Sequence, residues 1–514
     1  LTDDKPRKTL RLKVPASDSP SGPSGPATPG VAQPNAKKRK PVRWNPLTRN
    51  RTQAKPVAPG PGGDPAPERP PSGKPAASAS RRRSKGPDHG PASPRQEGQP
   101  PSRQARARPA PDGERDYRRT HYADRKKPKA ATPAQHGFFV PCPRGLEQEL
   151  ARELAEIGAV DCQAGPGGVS LEGDLKLAWK INLWSRLAIR VLWRIKSGAY
   201  RLEEDLYDAA REVDWPAYFT VDKTIAVTTV ARSSPLKSLN FASLKIKDAV
   251  CDRFRDSVGS RPSVDAREAQ VPLLLHLDRD RFNLYIDLTG APLNRRGYRV
   301  EPAAAPINEN LAAGLLRLAG WTPDQPLLDP MMGGGTLLLE AGLMALNRAP
   351  GMKRHFAFEN LTSFDKVEWT RLRKDAEAEA QEPRHLAIYG CDNDPAMVRA
   401  TGLNLRAAGL LDCIAIDEGD ALEVPAPEDH GVIVSNPPYG VRLSVEDMAA
   451  LYKGLGDALK QRFTGWRAYL ISADPELPRQ IGLKASRRIP LYNGPLECRL
   501  YEYTLVAGSL RREN

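Results

Sequence analysis

Residues 432–443 read VIVSNPPYGVRL, and at the end of the apolar run stands Asn436-Pro437-Pro438-Tyr439. Prolines remove ladder donors and hold neighbouring carbonyls in fixed directions, so this text predicts a buried strand that ends in a rigid loop. The amide oxygen of Asn436 and the carbonyl of Pro437 can both accept from an exocyclic amine on a flat ring. Tyr439 can stack on the same ring. Such an amine is a poor nucleophile because its lone pair is delocalised, and two fixed acceptors draw it towards tetrahedral geometry. A cationic electrophile can then be attacked directly, with the proton leaving afterwards. The chemistry asks for positioning and local electrostatics, not for a strong base.

Three other segments carry residues of this kind. In DPMMGGGT (329–336), Gly333, Gly334 and Gly335 allow a tight turn and close approach of backbone to a ligand as a helix opens at Thr336. No Gly-Lys-Ser/Thr follows, so this is not a P-loop, and alone it suits dinucleotide, phosphate or adenosyl ligands. Asp392 ends YGCD, where a carboxylate accepts from two ribose hydroxyls and disfavours a phosphate. Asp394, before Pro395, predicts a helix N-cap. Asp420 in EGDA can accept from an adenine amine, with Asp417 and Glu418 competing for that role.

The elements that would hold these residues alternate from about residue 301. Strands are expected over 326–329, 386–392, 413–421, 431–440 and 467–474, with helices opening at 336, 394 and 447 and a closing hairpin over 487–506. This is the pattern of a doubly wound, mostly parallel α/β sheet, whose ligands bind beyond the carboxyl ends of the strands. The stretch from Asp329 to Asp392 exceeds a compact βαβ unit, so an insertion is expected near 349–384.

Two α+β units precede it. The first, 136–199, is compatible with a ferredoxin-like fold and opens with a short apolar strand leading into a helix that presents Leu146, Leu150, Leu154 and Ile157 on one face. The second, 200–300, has expected strands at 224–232, 271–278 and 281–290. Its helix is expected over 243–259, with Leu244, Ala249, Val250 and Phe254 turned inward.

The net charge of +15 is unevenly spread: residues 1–135 hold 30 Lys+Arg against 11 Asp+Glu, and the remaining 379 hold 47 against 51. The same first quarter has 26 of the 50 prolines and three aromatics, Trp44, Tyr117 and Tyr122. Such text buries too little apolar surface to offset ordering entropy, and predicts a disordered basic arm. Six cysteines without a C-x-x-C pair suit free thiols in a reducing cytoplasm, and no metal site is expected. No run of 18 apolar residues occurs and no signal-peptide pattern opens the chain, so no membrane association is expected. The first residue is Leu1, so a methionine or longer leader is expected to precede it.

Longer stretches carry a family resemblance: DLTGAPLNRRGYR (287–299), APINENLAAGLL (305–316), LLDPMMGGGTLLLEAGLMALNRAPG (327–351) and SNPPYGVRL (435–443). With Asp392, they resemble the THUMP-domain RNA guanine-N2 methyltransferases, in particular the bacterial family acting on large-subunit ribosomal RNA. The resemblance spans about 136–514. It implies a ferredoxin-like domain (136–199), a THUMP domain (200–300) and a Rossmann-like class I methyltransferase domain (301–514), after the arm at 1–135. It implies S-adenosyl-L-methionine as cofactor, held by Asp329, Met331, Gly333, Gly335, Thr336, Asp392, Asn393, Asp420 and Asn436. Asn436, Pro437 and Tyr439 would be catalytic, and ribosomal RNA would be the partner, met by Tyr439 and by Arg295, Arg296 and Arg299. For these arginines interdomain ion pairs are an equal alternative. The family often has cysteine and serine where this chain has Met332 and Gly334, a difference expected to touch cofactor affinity and not the fold. Many members carry a second methyltransferase domain; this chain ends at Asn514, so one activity is expected.

A polycationic arm gathers phosphates by counterion release. Deleting 1–135 is therefore expected to weaken RNA binding and flatten its salt dependence without abolishing methyl transfer. An unchanged salt slope in a binding titration would reduce the arm to a passive tail.

Overall fold

The computed structural model describes residues 134–300, 307–439 and 444–506. The expected basic arm lies outside the described residues except for its last two positions.

The N-terminal half is built on strands β1 (His136–Pro141), β2 (Val160–Gly165), β3 (Gly168–Gly173), β4 (Leu192–Ala199), β5 (Ile225–Arg232), β6 (Val271–Asp278) and β7 (Arg281–Asp287). Its helices are α1 (Glu147–Ile157), α2 (Leu175–Trp184), α3 (Glu203–Arg211) and α4 (Leu239–Val258). The strands form one sheet in the order β2-β3-β1-β4-β7-β6-β5. β4 joins its two parts: Leu192 lies opposite Phe139 of β1 on one side and Asp287 of β7 on the other. One hydrogen-bonded sheet therefore runs through the boundary expected at 199/200. Each part hides an edge strand that it would expose alone.

Helix α4 differs from its expected phase. It starts at Leu239, where the Ser238 hydroxyl accepts from Phe241 N at 3.2 Å, and not at 243. Leu244, expected to face inward, is 43 % exposed, while Ala242, Ile246, Ala249, Val250 and Phe254 are buried. The cap, which a pattern search over 243–259 skips, sets the register of the buried face.

In the C-terminal half, β8 (Leu327–Asp329), β9 (Ile388–Asp392), β10 (Ala415–Glu418), β11 (Gly431–Ser435) and β12 (Trp466–Ser472) are parallel neighbours. The hairpin β13 (Arg487–Asn493) and β14 (Leu496–Thr504) adds an antiparallel edge, giving the order β10-β9-β8-β11-β12-β14-β13. Helices α5 (Glu309–Leu318), α6 (Thr336–Ala345), α7 (Lys366–Glu379), α8 (Pro395–Ala408), α9 (Val445–Arg462) and α10 (Leu477–Gln480) complete it. Chain order reverses around β8, which pairs with β9 and β11, so a crevice opens past their carboxyl ends. No helix among the described residues is long and apolar enough to cross a membrane.

The expected insertion forms the seam between the halves. Phe358 stacks on Trp179 of α2 at 5.6 Å between centroids, and Phe364 meets the same indole edge-on. Gly351 N donates to Leu183 O, Phe358 N to Leu288 O and Thr362 N to Tyr218 O, while Lys176 pairs with Glu368 of α7. Beneath this seam lies a charged cluster. Arg296 pairs with Glu340 of α6 at 3.3 Å, their side chains 2 % and 0 % exposed, and Tyr298 Oη donates to the same carboxylate at 2.8 Å. Arg186 crosses the seam to the carbonyls of Leu343 and Arg348.

This cluster corrects the expectation that Arg296 meets RNA phosphates. The guanidinium is buried and also donates to the carbonyls of Leu293 and Arg186. Arg299 is likewise drawn inward, to Glu309 at 3.2 Å, Ile307 O at 3.3 Å and Thr336 Oγ1 at 3.3 Å. Arg295 alone of the three is exposed.

Candidate active site

The ends of β8, β9, β10 and β11 are bound into one rim. Leu328 of β8 lies opposite Ile433 of β11, so Asp329 and Asn436 leave adjacent strands at the same edge. Ser435 Oγ donates to Asp329 Oδ1 at 2.7 Å, and Met331 N donates to the same oxygen at 3.2 Å. Asp329 thereby ties the glycine turn to the Asn-Pro-Pro-Tyr loop. It is 2 % exposed, a position for holding two loops together more than for reaching a ligand.

Burial pushes the Asp329 carboxyl up to about 7, against the Ser435 and Met331 donors, which favour the anion. Since the ordinary value is 3.8, the folded chain keeps a proton that the unfolded chain has released at intermediate pH. The stabilisation is fully present below about pH 4 and is lost as pH rises through about 7. Asp329→Asn is expected to remove this dependence. Urea midpoints for both proteins at roughly pH 4, 5.5 and 8 check it, and parallel pH profiles would contradict it.

The turn itself uses its glycines unequally. Gly333 and Gly335 have φ of 53° and 78°, in the left-handed region. A Cβ at Gly335 would come within 2.6 Å of Thr401 Cγ2. Helix α8 braces this turn: Thr401 Oγ1 donates to Gly333 O at 2.7 Å and Asn404 Nδ2 to Gly334 O at 3.1 Å. These two buried polar residues at i, i+3 were missed in the sequence. Their signal was polarity on a helix face that otherwise packs.

Asp392 links the neighbouring ends. Its Oδ2 accepts from Gly333 N at 2.9 Å and its Oδ1 from Asp394 N at 3.0 Å, while its backbone carbonyl accepts from Gly419 N. A carboxylate has about four acceptor positions, so two remain for other donors. Asn393 beside it is exposed. Asp394 caps α8 as expected, accepting from Ala396 N at 2.8 Å. Asp420 is half-buried and accepts from Leu422 N at 2.9 Å, whereas Asp417 and Glu418 are exposed on β10. Met331 is half-buried and Thr336 buried at the start of α6.

The loop after β11 is held from α9 and β13. Tyr452 Oη donates to Pro438 O at 2.9 Å, and burial pushes that phenol up to about 12. Asn493 Nδ2 donates to Tyr439 Oη at 3.1 Å, leaving the half-buried ring fixed at its far end. Neither Tyr452 nor Asn493 was foreseen, because both arrive from segments distant in sequence. Asn436 Oδ1 is buried and has no hydrogen-bond partner among the described residues. A buried amide oxygen left without a donor costs about 1–3 kcal/mol.

Three family models cover the described chain: an RlmL ferredoxin-like domain at 137–192, a THUMP domain at 200–287 and an RMKL-like methyltransferase domain at 296–502. Ribosomal RNA large subunit methyltransferase K/L of Shewanella frigidimarina is 40% identical over 382 residues, 73% of this chain and 54% of that protein. The chain thus spans about half the length of such relatives. The putative RNA methyltransferase slr0064 of Synechocystis is 37% identical over 370 residues, covering 72% of this chain and 96% of that protein. Among solved structures, SMU.472, a putative methyltransferase complexed with SAH, superposes with a TM-score of 0.68 at 30% identity. That match covers 74% of this chain and all (100%) of that one. The domain series, the near-complete span of slr0064 and the strand order agree: the chain belongs to the THUMP-containing methyltransferases with an RMKL-like catalytic domain.

Proposed function

We propose that the protein transfers a methyl group from S-adenosyl-L-methionine to the exocyclic N2 amine of a guanosine in large-subunit ribosomal RNA. The reading rests on the buried Asn436 Oδ1, without a donor among the described residues, at the same rim as the glycine turn and joined to it through Ser435 and Asp329. The cofactor, when bound, supplies a methyl group made electrophilic by a sulfonium. The two spare acceptor positions of Asp392 suit ribose hydroxyls, the half-buried Asp420 suits an adenine amine, and Gly333 and Gly335 let the backbone approach. Asn436 Oδ1 and the Pro437 carbonyl accept from the target amine and orient its lone pair. Pro438 O is already taken by Tyr452, which keeps this loop rigid.

The base must leave its stack to reach Tyr439, and stacking on the tyrosine ring, worth roughly 1–3 kcal/mol, offsets part of that cost. Support for ribosomal RNA comes from the names of the K/L relatives, and the THUMP match favours an RNA over a DNA substrate. The test is to incubate purified protein with methyl-labelled cofactor and unmodified large-subunit ribosomal RNA, then digest to nucleosides. N2-methylguanosine is expected. Label in N6-methyladenosine would reassign the amine, and label only in transfer RNA would reassign the substrate. No label in any RNA, with RNA still bound, would favour a non-catalytic RNA-binding factor.

A further inference from the structure

The two halves of the molecule line a half-open cavity of about 570 Å³. From the N-terminal half it is lined by Arg144 and Glu147 at the start of α1, Gly167 in the β2–β3 turn, and Arg232 at the end of β5. From the catalytic half come Pro490 and Tyr492 of β13. Tyr492 directly precedes Asn493, whose amide holds the Tyr439 phenol. The same strand therefore serves both: Tyr492 lines the cavity, and Asn493, whose side chain leaves the opposite face, holds Tyr439.

Its charge is unbalanced. Against two arginines stands one carboxylate, Glu147, which accepts from Gly145 N at 2.8 Å and from Gly167 N at 3.1 Å. The Arg144 guanidinium lies 4.1 Å from the centroid of the Tyr492 ring. Neither Arg144 nor Arg232 has an ion-pair partner among the described residues, and both are exposed. A cation–π contact holds a guanidinium flat without consuming its N–H donors. Arg144 and Arg232, from different parts of the N-terminal half, thus offer the same cavity two guanidinium groups of the kind that bind phosphate oxygens.

The geometry points to a docking subsite for the single-stranded RNA that flanks the turned-out base. Arg144 and Arg232 hold its phosphates, and Tyr492 fixes the plane of Arg144. This rests on the reading that RNA enters the Tyr439 pocket. The test compares wild-type protein with Arg144→Ala/Arg232→Ala, Arg144→Lys and Tyr492→Ala, using an unmodified large-subunit ribosomal RNA transcript titrated across roughly 50–200 mM salt. In the double variant the slope of log K against log salt is expected to flatten by about 1.4, at ~0.7 per single-strand phosphate. The KM for RNA should rise, while SAH affinity by calorimetry and turnover at saturating RNA stay unchanged. Arg144→Lys should keep the slope, and Tyr492→Ala should lower affinity with the slope kept.

An unchanged slope in the double variant overturns the subsite, as does an equal fall in SAH affinity, which would report a general distortion. If polyglutamate binds wild type and not the double variant while the RNA slope is unchanged, the cavity belongs to an acidic protein partner instead. Because the slope is read without methyl transfer, the two readings fail separately. A protein that binds RNA with the expected slopes and methylates no guanosine would sink the proposed function and leave the subsite standing.

Discussion

Asn436→Ala is expected to lower turnover on the order of 10²–10³ while changing SAH affinity little, the loss typical of one oriented hydrogen-bonding group. The structure adds a second readout. Asn436 Oδ1 has no donor among the described residues, so none of them offsets the cost of burying it. Alanine at this position should therefore leave thermal stability unchanged or slightly raised. Had the amide been a structural strut, its removal would lower stability as well as activity. Asn436→Asp keeps an acceptor and changes the charge, so partial activity with altered pH dependence is expected. Turnover close to wild type in the alanine variant would contradict the assigned role.

Glu340→Ala is expected to cost about 3–5 kcal/mol of stability, because it leaves the Arg296 guanidinium buried without its counter-charge. Arg186 lies in the same buried cluster, its guanidinium pulled below the usual range first by desolvation, with Arg296 adding to the effect. Losing Glu340 would therefore leave two cations facing each other in the seam. Tyr298 would lose its acceptor in the same step. The replacement Arg296→Met with Glu340→Leu should recover most of the loss, since apolar groups of similar volume often substitute for a buried ion pair. Denaturant midpoints for the single and double variants check both points. A single variant within about 1 kcal/mol of wild type would place the ion pair in a wetter site than its 2 % and 0 % side-chain exposures indicate.

How far the text of the chain reached depended on how local the physics was. Strands of the catalytic sheet were readable because each is a short apolar run, and their ends were marked by residues that strands rarely hold: Asp329, Asp392, Asn436-Pro437-Pro438. The Asp394 cap was readable because capping involves residues two or three apart. Helix α4 was misplaced by four residues because its Ser238 cap lies in polar text that gives no apolar period. Thr401 and Asn404 gave a weak local signal, and the partners that explain them, Gly333 O and Gly334 O, are about seventy residues away.

The sequence alone determined the doubly wound class of the catalytic half and the residues that end its strands, since periodicity and turn chemistry are written within a few neighbouring positions; the family resemblance added the order of the units. Tertiary structure alone decided that Arg296 is a buried ion-pair partner, that Arg299 turns inward, and that β4 makes one sheet of two units. It also decided that the insertion clamps the halves together, and that Arg144, Arg232 and Tyr492 share a cavity. Each of these is a question of which distant surfaces meet. A charged or aromatic side chain reads the same in the sequence whether it faces water, a counter-ion or another ring, and only packing supplies the neighbour that settles its role.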